Sequence, residues 1–584
     1  MGAVKLVLFD LGDTLEHDDV PLPGARDTLE ALLALRDEAG QPAVRLGLLS
    51  DFLRPNSPAE IPAIRQQYFA ILDVLGIRDL FEPVEAHVTL STEVGARKPD
   101  EAIFKAAVEQ GGSTFADAIF ITENREHVLA ARQLGLTAVH FKGPGQSSGE
   151  ITSLPELVPI IRDLVLTAQQ VAVLHVDRDT AEAAQQAVTA AGASWTRLGD
   201  ELVVTGSADA VAQGVAAADT PIVTARTDVV AGELRLVLQN GSLFQQEHPD
   251  VPVLAGRGRH LVVRWDPVRE TVPHDHDEPC FAIRRLPANT TVVAPAVLPR
   301  PETRRAVPTW VSACVDRLIA ETFTADLGAF VAFPTRLSTR PEFGAAADLA
   351  SDRLVELGYH VSTQPVSVGG GTSRNVVAER PGTGPEPRGL VVATAHLDSI
   401  NIRGGASAPA PGADDNGSGS AGLLSIAAAL AGHSQQVHDL RLVLFGGEEQ
   451  GLFGSRQHVA RLSAGERARI RAVLNMDMIG TLNTPSPGVL LEGAAVSQSV
   501  IDGLAAAAAE FSTLTVATSL SPFNSDHVPF IDAGLPAVLT IEGADGSNHN
   551  VHSAEDTLDK IDTGLAMQIL RTNVGYLAEV LGTP

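Results

Sequence analysis

The stretch that decides the fold is LVVATAHLDSINIRGGASAPAPGADDNGSGSAGLL, residues 390–424. It opens with a continuous apolar run, which is typical of a buried parallel strand, and this run ends at His396 with Asp398 two places on. Asp415 follows inside a glycine-rich turn. Because loops at strand ends carry function on a rigid sheet, we expect these three side chains to lie in one site.

Three later stretches add more imidazole and carboxylate groups. They are LRLVLFGGEEQGLFGS (440–455) with Glu448 and Glu449, AVLNMDMIG (472–480) with Asp477, and NHNVHSAEDTLDKID (548–562) with His552. Neutral imidazole and carboxylate oxygen both suit Zn²⁺, and two zinc ions that share one carboxylate would use such a set. The residues therefore predict a two-metal hydrolytic site.

The same motifs resemble the M28 family of co-catalytic zinc peptidases over residues 305–584. The family pattern is H-x-D, G-x-x-D-x-x-S-G, E-E before G-L-x-G-S, D-M-x-G and H-x-x-x-D-T, and all five occur here in order. The resemblance implies two zinc ions per domain and a peptide substrate. It also implies roles for the matched residues: Asp415 bridging the ions, His396 and Asp477 on one, Glu449 and His552 on the other, and Glu448 as general base.

The residues themselves fit this division. Adjacent residues on an extended segment point to opposite sides, so Glu449 can bind metal while Glu448 faces the water. Asp398 can orient the imidazole of His396. Asp414 is a weaker candidate for the bridge, and His549 competes with His552 but lacks the family spacing to the D-T pair. Many family members carry Tyr before the last His, where this chain has Val551.

The favoured function is a zinc-dependent exopeptidase, most simply an aminopeptidase, although a carboxypeptidase is left open. A glutaminyl-cyclase-like aminoacyl transferase with one zinc is an alternative on the same fold. A binding or scaffold protein with two inert halves is the alternative from another class. The intact ligand set argues against an inert C-terminal half, because no ligand of that set is missing.

Length and charge bound the remaining possibilities. At 584 residues the chain is too long to fold around a single hydrophobic core. A prior of about 150 residues per domain suggests three or four domains. The net charge of −28 argues against nucleic acid or an anionic membrane as partner. Two cysteines cannot build a disulfide framework, no apolar run reaches the roughly 20 residues of a membrane span, and the first residues lack signal-peptide features. We therefore expect a cytoplasmic protein.

Residues 1–165 alternate strands and helices, which predicts a doubly wound α/β sheet. Four positions at the strand ends resemble the haloacid dehalogenase (HAD) superfamily: Asp10 as nucleophile, Ser50 as phosphate-binding hydroxyl, Lys98 as charge-balancing lysine, and Glu123 as a metal ligand. The family's phosphatases use D-x-D, but position 12 is Gly12. His127 stands where an acidic Mg²⁺ ligand is usual, and Mg²⁺ prefers oxygen. The expected domain is therefore HAD-like but degenerate, with Mg²⁺ and phosphatase activity left open.

Residues 166–304 have no catalytic set. The pattern predicts a small α/β module over 171–232 and a β-rich segment over 233–300, with a hairpin around Asn240-Gly241. The HDHDEPC stretch, 274–280, is interpreted as a solvated acidic loop. The predicted architecture is thus multidomain α/β: a HAD-like Rossmannoid sheet (1–165), a middle region of unknown role (166–304) and a zinc-exopeptidase α/β/α sheet (305–584).

Overall fold

A computed structural model gives the fold, and it describes residues 5–18, 20–35, 42–144, 150–165, 169–229, 234–265, 280–296 and 306–583. Three regions follow one another along the chain, in the order expected from the sequence. No helix among the described residues has the length and apolar character needed to cross a bilayer.

The N-terminal region is a five-stranded parallel sheet with helices on both faces. Its strands are β1 Lys5–Phe9, β4 Val44–Ser50, β5 Val88–Leu90, β6 Ala118–Thr122 and β7 Thr137–His140, with a short hairpin of β2 Glu16–His17 and β3 Val20–Pro21. Its helices are α1 Ala25–Leu33, α2 Ile61–Val74, α3 Val84–His87, α4 Ser91–Val94, α5 Glu101–Gln110, α6 Arg125–Gln133 and α7 Leu157–Val165. The strand order is β5-β4-β1-β6-β7.

Alternate side chains of β1 enter two separate cores, which is why the strand is apolar throughout. Val7 and Phe9 join the core beneath α1 and α2, whereas Leu6 and Leu8 join the core beneath α5 and α6. The prediction of a doubly wound sheet is confirmed for this region.

The middle region contains an antiparallel sheet and a second, smaller one. Its elements are β8 Gln169–His175, α8 Ala181–Ala190, β9 Ser194–Leu198, β10 Glu201–Gly206, α9 Ala208–Ala218, β11 Ile222–Val229, β12 Leu234–Gln239, α10 Leu243–Glu247, β13 Val253–Arg257, β14 His260–Arg264, β15 Phe281–Arg285 and β16 Thr290–Pro295. The order β13-β14-β12-β15 forms the four-stranded sheet, here called the middle sheet. It packs on the face of β8 that carries Val171 and Val173.

The C-terminal region is a mixed sheet between two helical layers. Its elements are α11 Thr309–Val315, α12 Ala320–Val331, α13 Pro341–Glu356, β17 His360–Val368, β18 Gly371–Arg380, β19 Leu390–His396, α14 Gly419–Ala431, β20 Asp439–Phe445, α15 Phe453–Arg461, α16 Ala464–Arg469, β21 Ile470–Met476, β22 Gly488–Glu492, α17 Gln498–Phe511, β23 Thr515–Ser519, α18 His527–Asp532, β24 Ala537–Glu542 and α19 Thr563–Gly582. Strand β19 is fully buried, with Val391 and Ala393 in one core and Leu390 and Val392 in the other.

One sheet runs through the middle and C-terminal regions. Its thirteen strands follow the order β11-β8-β10-β9-β16-β23-β22-β24-β21-β19-β20-β18-β17. Strand β16 makes the junction, because it pairs in parallel with β9 and antiparallel with β23. The two regions therefore share backbone hydrogen bonds as well as side-chain packing.

Three local predictions are wrong or untested. No hairpin forms at Asn240-Gly241: α10 follows there, and β12 pairs instead with β14 and β15. The reason is that the backbone N–H of Asn240 donates to Cys280 and that of Ser242 donates to Asn548, so distant segments take the place of a hairpin partner. The stretch TWVSACVDRLIAETF (309–323) predicts one helix, but the structure has two there, α11 and α12. Residues 274–279 of the acidic stretch lie outside the described residues.

Candidate active site

Four neighbouring parallel strands of the C-terminal sheet bring the predicted ligands to one edge of that sheet. Strands β24, β21, β19 and β20 are adjacent and parallel, so their carboxyl ends meet. His396 ends β19, Asp477 follows β21, the pair Glu448 and Glu449 follows β20, and the loop after β24 carries His552. Residues separated by more than 150 positions are therefore brought to one edge of the sheet.

Asp415 lies between the two histidines. Its Oδ1 is 3.3 Å from Nε2 of His396, and its Oδ2 is 3.2 Å from Nε2 of His552. Each histidine has a second carboxylate: Asp477 Oδ1 is 3.3 Å from His396 Nε2, and Glu449 Oε2 is 2.9 Å from His552 Nε2. The five side chains are thus divided into two pairs that share Asp415.

Glu448 lies beside this cluster without bridging it. Its Oε2 is 3.9 Å from Nε2 of His396, farther than either neighbouring carboxylate. Burial and the nearby carboxylates of Asp526 and Asp477 raise its pKa well above the ordinary value. A carboxylate next to the cluster is suited to accept a proton from water and release it again.

Asp398 connects His396 to the turn that carries the glutamates. Its Oδ1 is 3.6 Å from His396 Nδ1, and its backbone carbonyl is 3.2 Å from the same nitrogen. The carboxylate also accepts hydrogen bonds from the backbone N–H groups of Gly447 and Glu449, at 3.0 and 3.3 Å. The orienting role predicted for Asp398 is consistent with this geometry, which adds a contact that the spacing alone did not indicate.

A chain of buried hydrogen bonds fixes Asp477. Ser525 donates to Asp477 Oδ2 at 2.7 Å, and Asn475 donates to Ser525 at 2.8 Å. Thr394 on β19 donates in turn to Asn475 at 2.7 Å. Sequence reasoning missed Ser525 and Asn475. Because all of these side chains are buried, the network leaves Oδ1 of Asp477 as the oxygen directed at His396.

Two buried groups hold the loop of Asp415. The carboxylate of Asp556 accepts from the backbone N–H groups of Asp414 and Asp415, both at 2.9 Å. The guanidinium of Arg336 donates to the carbonyls of Leu397 and Gly412, at 2.7 and 2.8 Å. Burial lowers the pKa of Arg336 to about 10. Sequence reasoning missed Arg336, which is fully buried.

The two competing candidates, Asp414 and His549, bind other groups. Asp414 accepts hydrogen bonds from the backbone of Gly480 at 2.8 Å and from Asn548 at 3.0 Å, so its carboxylate is directed away from the histidines. His549 places Nδ1 2.6 Å from Oγ of Ser242 in the middle region.

The donor set fits divalent zinc. Ligand atoms of His396, Asp415 and Glu449 lie within 4.8 Å of one another, as do those of His396, Glu448 and Asp477. Oε1 of Glu449 is buried and has no hydrogen-bond partner among the residues that the structure describes. Buried carboxylates so close together repel one another unless cations offset the charge. Imidazole and carboxylate are ligands that zinc accepts.

Two of the predicted N-terminal residues, Asp10 and Lys98, are in contact in the structure. Asp10 follows β1, and its Oδ2 is 2.5 Å from Nζ of buried Lys98. Burial alone would raise the pKa of Asp10, but Lys98 and His127 hold it below its ordinary value. Ser50 faces Tyr68, 2.6 Å away.

The remaining predicted residue of that site, Glu123, accepts hydrogen bonds from Thr14 at 2.8 Å and Thr122 at 3.1 Å. Asp13, next to Gly12, pairs with His17 at 2.5 Å. The structure thus brings Asp10 and Lys98 together at the carboxyl edge of the sheet, with Ser50 and Glu123 bonded to other side chains.

Comparison with known proteins agrees with the C-terminal geometry. Residues 375–577 match the family model described as Peptidase family M28. Leupeptin-inactivating enzyme 1 of Streptomyces exfoliatus is 32% identical over 216 residues, which are 36% of this chain and 45% of the relative. Aminopeptidase YwaD of Bacillus subtilis (strain 168) is 31% identical over 197 residues, 32% of this chain and 41% of the relative.

The chain spans about half the length of the curated relatives it matches. Among solved structures, an aminopeptidase from Aneurinibacillus sp. strain AM-1 aligns with 18% identity and a TM-score of 0.41, covering 47% of this chain and 96% of that one. The family match includes the five candidate ligands His396, Asp415, Glu449, Asp477 and His552.

Proposed function

We propose that this protein is a zinc-dependent exopeptidase that removes residues from the amino end of peptides and holds two zinc ions. The observation that carries the proposal is the position of Asp415, whose two oxygens face His396 and His552 at 3.3 and 3.2 Å. A carboxylate so placed can serve two cations at once. Glu448, beside the cluster, supplies the base.

The chain's own residues account for the steps. When bound, the zinc ions would polarise the scissile carbonyl and make water more acidic. Glu448 takes a proton from the attacking water and delivers it to the amine that leaves when the C–N bond breaks. Asp398 keeps Glu448 in place through the backbone of the following turn, and it orients His396 at the same time.

The charges around the site favour an amino terminus over a carboxyl terminus as the recognised end. The cluster is rich in carboxylates, among them Glu448, Glu449 and the fully buried Asp526. Arg336, the buried cation beside the Asp415 loop, donates to backbone carbonyls and is therefore committed to the fold. Arg336 is then not expected to pair with the terminal carboxylate of a substrate, which favours recognition of the amino end.

Several of the relatives are named as probable leucine aminopeptidases. We therefore propose an apolar residue at the substrate's amino terminus as the first choice. The test is a panel of aminoacyl p-nitroanilides and peptides with C-terminal glutamate, assayed with and without a chelator. Chelator-sensitive release from the leucyl substrate, restored by zinc, is expected. Release only from the carboxyl end would contradict the aminopeptidase assignment, and one zinc per chain with cyclisation of glutaminyl peptides would favour the transferase alternative.

For the N-terminal region we propose a HAD-like domain that has lost turnover. Gly12 stands where the family's phosphatases place an acid, and His127 stands where an acidic Mg²⁺ ligand is usual. Assay of p-nitrophenyl phosphate hydrolysis with Mg²⁺ is expected to show no difference between the wild type and Asp10→Asn. Mg²⁺-dependent turnover that Asp10→Asn abolishes would contradict this proposal. The cytoplasmic location stays a prediction.

A further inference from the structure

The middle sheet reaches the loop that carries His552. After β12, the turn at Gly241 and Ser242 lies directly against residues 548–551. The N–H of Ser242 donates to the carbonyl of Asn548 at 3.0 Å, and its Oγ is 2.6 Å from Nδ1 of His549. Gly241 adopts a φ of +48°, and a Cβ there would meet Val551 at 2.6 Å. This contact leaves no space between the two segments.

The two regions also share one apolar core. Val551 and Phe523 from the C-terminal region belong to the same buried cluster as Phe244, Val262 and Phe281 of the middle sheet and its turn. Val551 is the residue immediately before His552, at the position where many M28 members carry Tyr. The middle sheet thus fixes the backbone on which this candidate ligand is carried.

Cys280 brings the middle region into contact with His552 itself. It lies immediately before β15, it is buried, and its Sγ is 4.0 Å from Nδ1 of His552. The other nitrogen of that imidazole, Nε2, is the one that faces Asp415 and Glu449. Histidines that bind metal through one nitrogen usually donate the other N–H to an outer partner, which fixes the tautomer.

We propose that Cys280 of the middle sheet is a positioning residue for His552: its sulfur accepts the Nδ1–H hydrogen bond and leaves Nε2 free for zinc. The proposal rests on the proposed zinc function and adds a role for a region to which none was assigned. Sulfur is a weak acceptor, and 4.0 Å is a long contact.

The two candidate zinc positions are therefore unequal in their outer partners. His396 has the carboxylate of Asp398 at 3.6 Å and its carbonyl at 3.2 Å, whereas His552 has the sulfur of Cys280. Carboxylate raises the basicity of an imidazole ligand more than a thiol does. The ion held by His552 and Glu449 should consequently be bound with the lower affinity. Its affinity should also be the one that depends on Cys280.

The test uses the full-length protein and measures zinc binding rather than turnover. Metal-free wild type, Cys280→Ala, Cys280→Asn and Cys314→Ala are titrated with zinc against a competing chelator, and each metal-free protein is melted to check its fold. Cys314 is the matched control, because it is the chain's other buried cysteine and lies in α11. In Cys280→Asn the side-chain amide oxygen would restore an acceptor, and the side chain is long enough for that oxygen to approach Nδ1 of His552.

The expected result is a loss of about 10-fold in the affinity of one zinc ion in Cys280→Ala, the low end of the range for an outer partner, with the other unchanged. Cys280→Asn should recover most of that affinity, and Cys314→Ala should match the wild type. Equal affinities in Cys280→Ala and wild type would overturn the proposal, as would an equal loss in the Ala and Asn variants, since packing alone would then be responsible. Failure of the proposed function would appear separately, as a wild type that binds no zinc.

Discussion

The carboxylate of Asp398 accepts a hydrogen bond from the backbone N–H of Glu448, with 3.4 Å between the two atoms. The same carboxylate faces Nδ1 of His396 at 3.6 Å. One buried acid therefore sets the position of a candidate metal ligand and of the candidate base, although these belong to different strands. This contact connects the end of β19 with the turn after β20.

Substitution Asp398→Asn should impair both functions of this carboxylate. The amide offers one acceptor where two oxygens are used, and its NH₂ group opposes the N–H donors of the 447–449 turn. We expect zinc affinity and kcat each to fall by about 10- to 100-fold. Chelator-competition titration and steady-state kinetics measure the two effects. The exposed Asp352→Asn serves as control, and wild-type values for Asp398→Asn would show that the contact is dispensable.

Arg259 of the middle region is buried among acids of the C-terminal region. Its Nε is 3.0 Å from Asp545 and its Nη1 is 3.3 Å from Glu492, and it also donates to the carbonyl of Phe523 at 3.1 Å. Arg259→Met leaves these carboxylates without their cation, which should cost about 3–5 kcal/mol of the free energy of unfolding.

Urea unfolding checks that value, with Arg257→Met as the matched control. Arg257 ends β13 only two positions away, but its side chain is 53% exposed and 3.7 Å from Asp200, so its loss should cost less than about 1 kcal/mol. Equal costs for the two arginines would mean that the buried contacts are not what joins the regions.

Gly241→Ala tests the contact of the middle region with the His552 loop. The added Cβ would meet Val551 Cγ2 at 2.6 Å and the carbonyl of Asn548 at 2.7 Å, so the loop must shift. We expect weaker binding of one zinc ion, measured by chelator competition. Gly192→Ala is the control. Gly192 has a φ of +79°, but nothing lies within 4 Å of the place that an added Cβ would take. This substitution therefore brings backbone strain without a clash. A similar effect of both substitutions on zinc affinity would show that the clash of residue 241 with the His552 loop is not the cause.

His458 should make stability depend on pH. Its ring lies near those of Phe445 and Phe530, and burial lowers its pKa to about 3. The unfolded chain binds a proton near pH 6.5 whereas the folded chain does not, so stability is full above that pH and falls as the pH drops below it. Between pH 7 and 5 the loss should be about 2 kcal/mol.

The comparison of wild type with His458→Gln isolates this effect, because all other titrating groups are common to both. Chemical denaturation at pH 7, 6 and 5 should show a shallower pH dependence in the variant. Exposed His360→Gln should retain the wild-type dependence. Identical curves for His458→Gln and wild type would contradict a neutral, buried His458.

Much of the site could be predicted from local sequence because its ligands lie at strand ends. The apolar runs before His396 and Asp477 mark buried parallel strands, and the carboxyl ends of neighbouring parallel strands must meet. The doubly wound N-terminal sheet followed from the same alternation of elements.

The contacts that support the site could not be predicted in this way. Arg336 donates to Leu397, 61 positions away, and nothing in the spacing around Arg336 marks it as buried. Strand β9, Ser194–Leu198, is not marked as a strand by its sequence SWTRL, which lacks a continuous apolar run, and its pairing with β10 and β16 makes it one. The docking of Cys280 on His552 joins residues 272 positions apart and depends on tertiary packing.

The most direct test of the central claim is Glu448→Gln, measured for zinc content and for hydrolysis of a leucyl substrate in the same preparation. We expect zinc content to equal that of the wild type, because Asp415, Glu449 and the two histidines remain, while kcat falls by about 10²- to 10⁴-fold as the base is lost. Exposed Glu321→Gln is the control. Full turnover in Glu448→Gln would contradict the assignment of the base, and a wild type without zinc would contradict the metal site itself.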